Sequence, residues 1–252
     1  MNGDYILETR GLGKHFTGFR AVNDVNLRVK RGSIHALIGP NGAGKTTVFN
    51  LLTRFLPVSE GSIHFEGDDV TALQAARVAR MGLVRSFQVS AIFSGMTVLD
   101  NVKVGLQKRD GLAHCFWRGS QAIAHLDAEA MNLLEAVDLA DVAHHKAAGL
   151  PYGKRRSLEL ATTLGMNPKV MLLDEPTQGM GIEDVAVVTR LIRRVAESRT
   201  VLIVEHNLNV VSALSDTVTV LARGSVLAEG SYSEVAADAR VVQAYIGVSD
   251  DE

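Results

Sequence analysis

Short apolar runs of strand length alternate along this chain with stretches in which apolar residues recur at helical spacing. The runs at residues 34–38, 82–87, 170–173 and 200–204 are typical of strands buried inside a sheet. Over residues 97–165 the apolar positions follow a helical period instead. The pattern therefore predicts an α/β protein that carries an inserted helical segment.

Shorter patterns flank this alternation at both ends of the chain. The N-terminal part alternates and turns as in a small strand-rich sheet, with short strands at residues 5–8 and 25–29. Near the C-terminus, residues 217–221 and 226–229 predict a β-hairpin, and residues 233–245 predict a final helix. We therefore expect two small β-elements next to the main sheet.

Composition narrows the class of protein. The chain has 252 residues, of which 46% are hydrophobic, and this is enough for one large α/β core with an inserted subdomain. A net charge of -2 gives no global sign of nucleic-acid binding, and the single cysteine, Cys115, excludes an internal disulfide and fits a reducing compartment. Residues 1–4 lack the layout of a secretory signal, and no apolar run reaches the roughly 20 residues that span a bilayer. We expect this chain to meet a membrane only through a partner.

The clearest chemical signal is a glycine-rich stretch between a predicted buried strand and a predicted helix. It consists of Gly39, Pro40, Asn41, Gly42, Ala43, Gly44, Lys45, Thr46 and Thr47, the phosphate-loop pattern G-x-x-x-x-G-K-[ST] in its required context. Its glycines let backbone N–H groups curl round phosphate oxygens, and the helix that follows directs its N-terminal dipole at the same anion. Lys45 is expected to reach the β- and γ-phosphates, and the Thr46 hydroxyl to bind Mg²⁺. An incidental glycine turn would not need this context, so we predict nucleoside triphosphate binding.

Polar residues follow two of the predicted buried strands. Asp174 and Glu175 end the strand at residues 170–173, and they alternate in direction, which suits two separate roles. Buried paired acids are costly unless used, so one is expected to hold Mg²⁺ through water and the other to polarise an attacking water. His206 ends another buried strand at the edge where parallel sheets bind ligands, and we interpret it as functional.

Three further positions each admit two interpretations. Gln88 ends a predicted strand and either contacts Mg²⁺ or a nucleophilic water, or is an ordinary loop residue. Phe16 either packs against a strand edge or stacks on an adenine base, an interaction of about 1–3 kcal/mol. Residues 150–154 place Gly153 and Lys154 at a predicted helix start. A glycine and basic residues at this place either bind an anion or form an ordinary charged entry to the helix.

Taken in order, the phosphate loop, Gln88, the helical segment, the turn at residues 150–154, the pair Asp174 and Glu175, and His206 resemble the ATPase subunits of ATP-binding cassette (ABC) transporters. The resemblance covers essentially the whole chain, and the combination is far more specific than the phosphate loop alone. It implies a phosphate-loop ATPase core with a mixed sheet, an N-terminal antiparallel β-subdomain and an inserted α-helical subdomain.

The resemblance also places ATP and Mg²⁺ by position. The phosphate loop matches the segment that holds the phosphates, and Phe16 matches the aromatic residue that stacks on adenine, which favours the second of its two interpretations. Thr46, Asp174 and Gln88 match the residues on the Mg²⁺ side of the nucleotide.

Catalytic roles follow from the same matches. Glu175 matches the catalytic base, His206 the switch histidine at the γ-phosphate, and Gln88 the residue that links Mg²⁺ and water to the helical subdomain. In this family a second ATPase subunit closes each site, and Gly153 matches a residue whose backbone N–H meets the partner's γ-phosphate. The resemblance thus implies a homodimer or heterodimer of ATPase subunits.

Two motifs depart from the family pattern, and both serve the partner's site. Where the family usually reads Leu-Ser-Gly-Gly-Gln, residues 150–154 read Leu-Pro-Tyr-Gly-Lys, so Pro151 lacks both the hydroxyl and the N–H of the usual serine. Where an aspartate usually follows the acidic pair, Gly181 stands. Our hypothesis is that Glu175 keeps this chain's own site competent while the partner's site is weakened, an asymmetry that suits a heterodimer.

Several stretches resemble one branch of the family. Residues 84–88, 96–102, 204–207, 226–230 and 242–247 are similar to those of branched-chain amino acid uptake ATPases. Urea and short-chain amide importers share these features, and lipopolysaccharide export ATPases share them less closely. The resemblance predicts an ATPase peripheral to the cytoplasmic side of the bacterial inner membrane, with integral membrane permease subunits as partners and, indirectly, a periplasmic substrate-binding protein.

We expect one domain, with residues 1–88 and 166–252 forming the nucleotide-binding core and β-subdomain and residues 89–165 approximately the helical subdomain. The segment near residues 89–120 is expected to carry the groove that receives a helix of the membrane partner. A soluble cassette ATPase of DNA repair or translation usually has two cassettes, long coiled coils or basic patches, and this single cassette of net charge -2 has no such feature in its sequence. A regulatory ATP sensor without turnover would lack the base that Glu175 provides.

Overall fold

The computed structural model describes residues 4–86, 92–111 and 121–246. Within these residues the strands are β1 (Tyr5–Phe16), β2 (Phe19–Val25), β3 (Arg28–Lys30), β4 (Ile34–Ile38), β5 (Glu60–Phe65), β6 (Asp68–Asp69), β7 (Leu83–Arg85), β8 (Val170–Asp174), β9 (Thr200–Val204), β10 (Thr217–Ala222) and β11 (Ser225–Gly230). The α-helices are α1 (Lys45–Leu52), α2 (Ala75–Met81), α3 (Val98–Arg109), α4 (Gln121–Ala136), α5 (Tyr152–Gly165), α6 (Ile182–Ala196), α7 (Leu208–Leu214), α8 (Tyr232–Ala237) and α9 (Ala239–Ile246).

Two sheets organise these elements. The first is antiparallel, in the order β2-β1-β5-β6, with β3 also paired to β1. The second has the order β11-β10-β4-β9-β8-β7, and all of its neighbouring strands are parallel except the edge pair of β10 and β11. The predicted fold class, a mixed sheet with an antiparallel β-subdomain, is confirmed.

Helices alone link β7 to β8 in the part of the chain that is described. Thr97 is the N-cap of α3, because its hydroxyl accepts a hydrogen bond from the N–H of Asp100. Helices α3, α4 and α5 pack on one another through residues such as Leu106, Leu134 and Leu158, which are fully buried. The inserted helical segment is thus confirmed. None of the described helices is long and apolar enough to cross a membrane.

Strands of the second sheet contribute side chains to two hydrophobic cores, because both faces of this sheet are covered. In β8, Leu172 packs into the core that includes Phe49 of α1. Leu173 packs into the other core, which includes residues of α3, α4 and α5. Leu202 and Ile203 of β9 divide between the cores in the same way. The period-2 alternation of a strand thus places successive side chains on opposite sides of the sheet.

Two predicted elements have different bounds in the structure. The strand expected at residues 25–29 is the end of β2 followed by β3, with a break at residues 26–27, where the Asn26 side chain accepts a 2.8 Å hydrogen bond from the N–H of Gly11. The single C-terminal helix is two helices, α8 and α9. They separate at Asp238, which is extended and accepts a 2.8 Å hydrogen bond from the N–H of Arg240.

Candidate functional site

The phosphate loop connects β4 to α1 and leaves no room for side chains at two of its glycines. Gly39 has a φ of 150°, and a Cβ there would lie 2.1 Å from the carbonyl oxygen of Leu221. Gly44, the N-cap of α1, has a φ of 100°, and a Cβ there would lie 2.8 Å from the carbonyl oxygen of Ala21. Gly39 and Gly44 are therefore required by close backbone contacts as well as by backbone conformation.

Lys45 is held inside the loop. Its side chain is buried, and its ammonium group donates to the carbonyl oxygens of Gly39 at 2.6 Å and Pro40 at 3.0 Å. Burial lowers the pKa of Lys45, although the nearby carboxylates of Glu175 and Asp174 act to raise it. The N-terminus of α1 has no acidic residue in its first turn and no side-chain cap, so its N–H groups are available to an anion.

The acidic pair lies at the end of β8, in the interior of the second sheet. Asp174 is almost fully buried, whereas the Glu175 side chain is 13% exposed. Glu175 has a φ of 46°, and its N–H donates to the carbonyl of Val204 at 2.9 Å. A non-glycine residue with positive φ costs conformational energy, and such strained residues cluster at functional sites. As predicted from their alternation, the two carboxylates make contacts with different elements.

Glu175 and His206 are in direct contact. The Nε2 atom of His206 lies 2.5 Å from Oε1 of Glu175, and the His206 side chain remains 44% exposed. Both side chains open into a cavity of about 510 Å³ lined by Asn41, Glu175, Thr177, Gln178, Met180, Val185, Glu205, His206 and Asn207. This cavity brings the tip of the phosphate loop together with the predicted base and the predicted switch histidine.

Glu205 organises this region and was missed by the sequence analysis. It is buried, and its carboxylate accepts four hydrogen bonds: from the N–H and hydroxyl of Thr177 and from the N–H groups of His206 and Asn207. These bonds fix the turn after β8 to the turn after β9. The only sequence signal was a charged residue between an apolar strand and His206.

Asp174 has one engaged and one unengaged carboxylate oxygen. The Nη2 group of Arg85 donates to Oδ2, and the Nη1 group of Arg85 donates to Oδ1 of Asn50 at 2.6 Å. Oδ1 of Asp174 is buried and has no hydrogen-bond partner among the described residues. Such an oxygen fits a magnesium ion that is bound through water, and Thr46 supplies a hydroxyl in the first turn of α1. The described residues contain no group of three or more His, Cys, Asp or Glu side chains that would bind a metal on their own, and Mg²⁺ beside phosphates needs only one or two carboxylates.

Phe16 and Gln88 are the two remaining candidates for contacts with the nucleotide. Phe16 ends β1 and is 45% exposed, with the ammonium of Lys14 5.3 Å from its ring centroid. The strand that follows, β2, runs past the phosphate loop, where the Ala21 carbonyl approaches Gly44. Gln88 lies outside the described residues.

The turn at residues 150–154 begins α5. Pro151 is the N-cap and provides no side-chain hydrogen bond, whereas Gly153 is buried against α6. A Cβ at Gly153 would lie 2.5 Å from Oδ1 of Asp184, so only glycine fits without movement of that side chain. Lys154 lies 3.2 Å from Oδ2 of Asp141, so its charge is paired within the chain.

Tyr152 connects this turn to the segment after the acidic pair. Its hydroxyl donates to the carbonyl of Gln178 at 3.1 Å, and its side chain is 45% exposed. Gly181, the N-cap of α6, likewise offers no side-chain hydrogen bond, and Ile182 beside it is 90% exposed. The two motifs that depart from the family pattern therefore lie next to each other on the surface.

Two protein families match this chain, each over a different segment. Residues 22–178 match the family described as "ABC transporter". Residues 225–251 match a second family, described as "Branched-chain amino acid ATP-binding cassette transporter".

Several curated relatives match over nearly their full length. The high-affinity branched-chain amino acid transport ATP-binding protein BraF of Pseudomonas aeruginosa is 36% identical, and the match covers 96% of this chain and 98% of the relative. The corresponding protein LivG of Escherichia coli is 36% identical with the same coverage. A crystal structure of the ADP conformation of MJ1267, an ATP-binding cassette of an ABC transporter, is similar with a TM-score of 0.85 and 30% identity, and covers 96% of this chain and 99% of that one.

Proposed function

This chain belongs to the ABC transporter ATP-binding family, and we propose that it is the ATP-hydrolysing subunit of a membrane importer for branched-chain amino acids. The observation that carries this proposal is the single cavity that joins Asn41 of the phosphate loop to Glu175 and His206. The choice of transported substrate rests on the C-terminal family match and on the relatives named for branched-chain amino acid transport.

Nucleotide binding is assigned to the loop and the first strand. Backbone N–H groups of residues 39–47 and the Lys45 ammonium bind the phosphates, and the exposed ring of Phe16 stacks on the adenine. The buried position of Lys45 strengthens its attraction to phosphate, because the surrounding dielectric constant is lower than in water.

Hydrolysis is assigned to the ends of β8 and β9. Glu175 accepts a proton from the attacking water as general base, and His206, which donates to Glu175, is assigned the contact to the γ-phosphate. Glu205 keeps both segments in place through its four hydrogen bonds.

Mg²⁺ would be held by the Thr46 hydroxyl and, through water, by the buried Oδ1 of Asp174, with Gln88 as a third contact. When bound, it neutralises charge that develops on the phosphate oxygens.

A second ATPase subunit is expected to cover the surface formed by Tyr152, Gly181 and Ile182, beside the buried Gly153. The first N–H groups of α5 lack intrahelical partners and receive no side-chain cap from Pro151, which suits the γ-phosphate of the partner's ATP. The almost fully exposed Ile182 supports contact with a protein at this place. Because neither Pro151 nor Gly181 supplies a side-chain hydrogen bond, we keep the hypothesis that the partner's site is the weaker one.

Permease subunits are expected to dock on a groove of about 310 Å³. It is lined by Thr53, Phe55, Ala75, Ala76, Ala79, Leu83, Val84, Arg85, Lys108 and Met166. Its lining is mainly apolar, and Phe55 exposes 57% of its surface there, which suits an apolar helix of a membrane protein. One of these lining residues, Lys108, belongs to residues 89–120, the segment that is expected to carry the docking groove.

The remaining assignments follow from this architecture. We assign residues 1–88 and 166–252 to the nucleotide-binding core with its β-subdomain, and about 89–165 to the helical subdomain. The subunit is placed peripherally on the cytoplasmic side of the inner membrane, and a periplasmic substrate-binding protein would deliver the amino acid to the permease.

The proposal is tested by uptake in cells of the source organism that lack this chain. We expect uptake of radiolabelled leucine to be lost, and to be restored by the unsubstituted chain and by the exposed-site control Glu135→Gln, but not by Glu175→Gln. Loss of urea or acetamide uptake with leucine uptake intact would assign the alternative substrate class. Restoration of leucine uptake by Glu175→Gln would contradict the proposed catalytic role.

A further inference from the structure

Arg85 is a largely buried cation that the proposed mechanism does not use. It ends β7, which pairs in parallel with β8 so that Arg85 lies opposite Leu172. Its side chain is only 10% exposed, and the guanidinium carbon lies 5.9 Å from the ring centroid of the fully buried Phe49. A guanidinium is retained in such a place only where its donors find acceptors.

Its two acceptors come from the two elements that border the phosphate site. Nη1 donates to Oδ1 of Asn50 in α1 at 2.6 Å, and Nη2 donates to Oδ2 of Asp174 at the end of β8. Asn50 is one helical turn beyond Thr46, so both side chains lie on the same face of α1. The planar fork of Arg85 thus sets the spacing between the helix that follows the phosphate loop and the carboxylate on the Mg²⁺ side.

The two oxygens of Asp174 are unequal because of this contact. Arg85 engages Oδ2 alone, while Oδ1 remains buried without a partner among the described residues. A carboxylate that is fixed through one oxygen presents the other in a single direction, and a buried acceptor without a partner is expensive unless a ligand uses it.

We propose that Arg85 is a positioning residue for Mg²⁺ binding, which orients Asp174 so that Oδ1 faces the ion that accompanies ATP. The inference rests on the proposed function, because it needs Mg–ATP at this phosphate loop. Arg85 acts through Asp174 and touches neither the nucleotide nor the ion. Lysine is a poor substitute, since one ammonium group cannot hold Asn50 and Asp174 in the same planar geometry.

The test measures ATP binding to the full chain by calorimetry, once with excess Mg²⁺ and once with excess EDTA. In the unsubstituted chain Mg²⁺ should strengthen ATP binding, and we expect Arg85→Lys and Arg85→Met to reduce that gain by about tenfold while leaving affinity in EDTA unchanged. Arg54→Lys is the matched control, because Arg54 is a partly buried arginine just beyond the C-terminus of α1 that donates to the backbone carbonyl of Leu73 at 3.2 Å.

A double substitution tests whether Arg85 acts through Asp174. If it does, Arg85→Met combined with Asp174→Asn should lose no more of the Mg²⁺-dependent gain than Asp174→Asn alone. Equal loss of affinity with and without Mg²⁺, or a lower melting temperature with an unchanged gain, would assign Arg85 to structure only and overturn the inference. If Arg85→Met fails to fold, Arg85→Lys decides the question. If the unsubstituted chain showed no Mg²⁺-dependent ATP binding, the proposed function itself would fail.

Discussion

Nε2 of His206 and Oε1 of Glu175 lie 2.5 Å apart, which joins the ends of the adjacent parallel strands β9 and β8. A carboxylate only accepts hydrogen bonds, so the Nε2–H group of His206 is the donor. The histidine therefore constrains the carboxylate that is proposed to act as base.

Substitution of either member of this pair should stop turnover without stopping ATP binding. Removal of a general base typically lowers the rate by about 100-fold or more, so we expect such a loss for Glu175→Gln in the assembled complex and a comparable loss for His206→Ala. ATPase assays beside nucleotide-binding measurements check this, with His144→Ala as an exposed histidine control. Near-normal ATPase activity of Glu175→Gln would refute the assignment.

Replacement of Glu205 by alanine should destabilise the fold and also slow hydrolysis. The substitution leaves four donors without their buried acceptor, for which we expect a loss of about 3 kcal/mol in the free energy of unfolding. Urea denaturation measures the stability, and Glu197→Ala, at an exposed position, is the control. An unfolding midpoint equal to that of the control would show that these contacts contribute little.

His35 should make the stability of the protein fall in acid. It lies buried in β4, its Nε2 atom is 2.7 Å from the Thr219 hydroxyl, and that hydroxyl donates to Glu229 at 2.6 Å. Burial lowers the pKa of His35 to about 4 from its ordinary 6.5. Between these two values the unfolded chain binds a proton that the folded chain does not, so stability decreases as the pH falls through this window.

We expect His35 to lower the free energy of unfolding by about 2 kcal/mol as the pH falls from about 7 to about 5. His35→Gln keeps a donor for Thr219 but does not titrate, so its stability should vary less over this range. Denaturation curves at both pH values for the unsubstituted chain, His35→Gln and the exposed control His144→Gln measure the difference. The same pH dependence in all three proteins would rule out His35 as its source.

Alanine at position 39 should be far more damaging than alanine at position 149. Its Cβ would lie 2.1 Å from the Leu221 carbonyl oxygen at a φ of 150°, so the loop would have to move away from β10. We expect a cost of about 3 kcal/mol or more and loss of ATP affinity. Gly149→Ala is the matched control, because nothing lies within 4 Å of the added Cβ. ATP affinity equal to that of the control would contradict the close packing of this loop.

Restoring the usual residues of the two unusual motifs should strengthen the partner's site. Pro151→Ser adds an N-cap hydroxyl and an N–H group to α5, and a new hydrogen bond to a phosphate is worth about 1.5–3 kcal/mol, which is roughly 10- to 100-fold in affinity. We expect tighter ATP binding and faster turnover at the partner's site, with a further gain from Gly181→Asp. ATPase assays of the complex, with the partner's own base removed in a parallel sample, separate the two sites. Unchanged turnover at the partner's site would remove the basis for the proposed asymmetry.

Local chemistry along the chain was sufficient to predict the elements that surround the phosphates. The strand, loop and helix around residues 39–47 follow from adjacent residues, and so does the buried strand before Asp174. Each of these signals depends only on neighbours in sequence.

Contacts between distant segments could not be predicted in this way. Glu205 is defined by Thr177, and Arg85 by Asn50 and Asp174, and these contacts exist only because β7, β8 and β9 are adjacent in the sheet. The break at Asp238 was missed for another reason: an aspartate that caps the following helix gives no interruption in the apolar period.

The alternation of β8 between two cores has a mechanical consequence. Leu172 and Leu173 pack into cores on opposite faces of the sheet, so a displacement of this strand would require both cores to repack at once. The tip of β8 is thus a stiff reference point within the subunit. Movements during a transport cycle would be taken up by the surrounding loops and helices, and the nucleotide and the partner subunit would be brought to Glu175 rather than Glu175 to them.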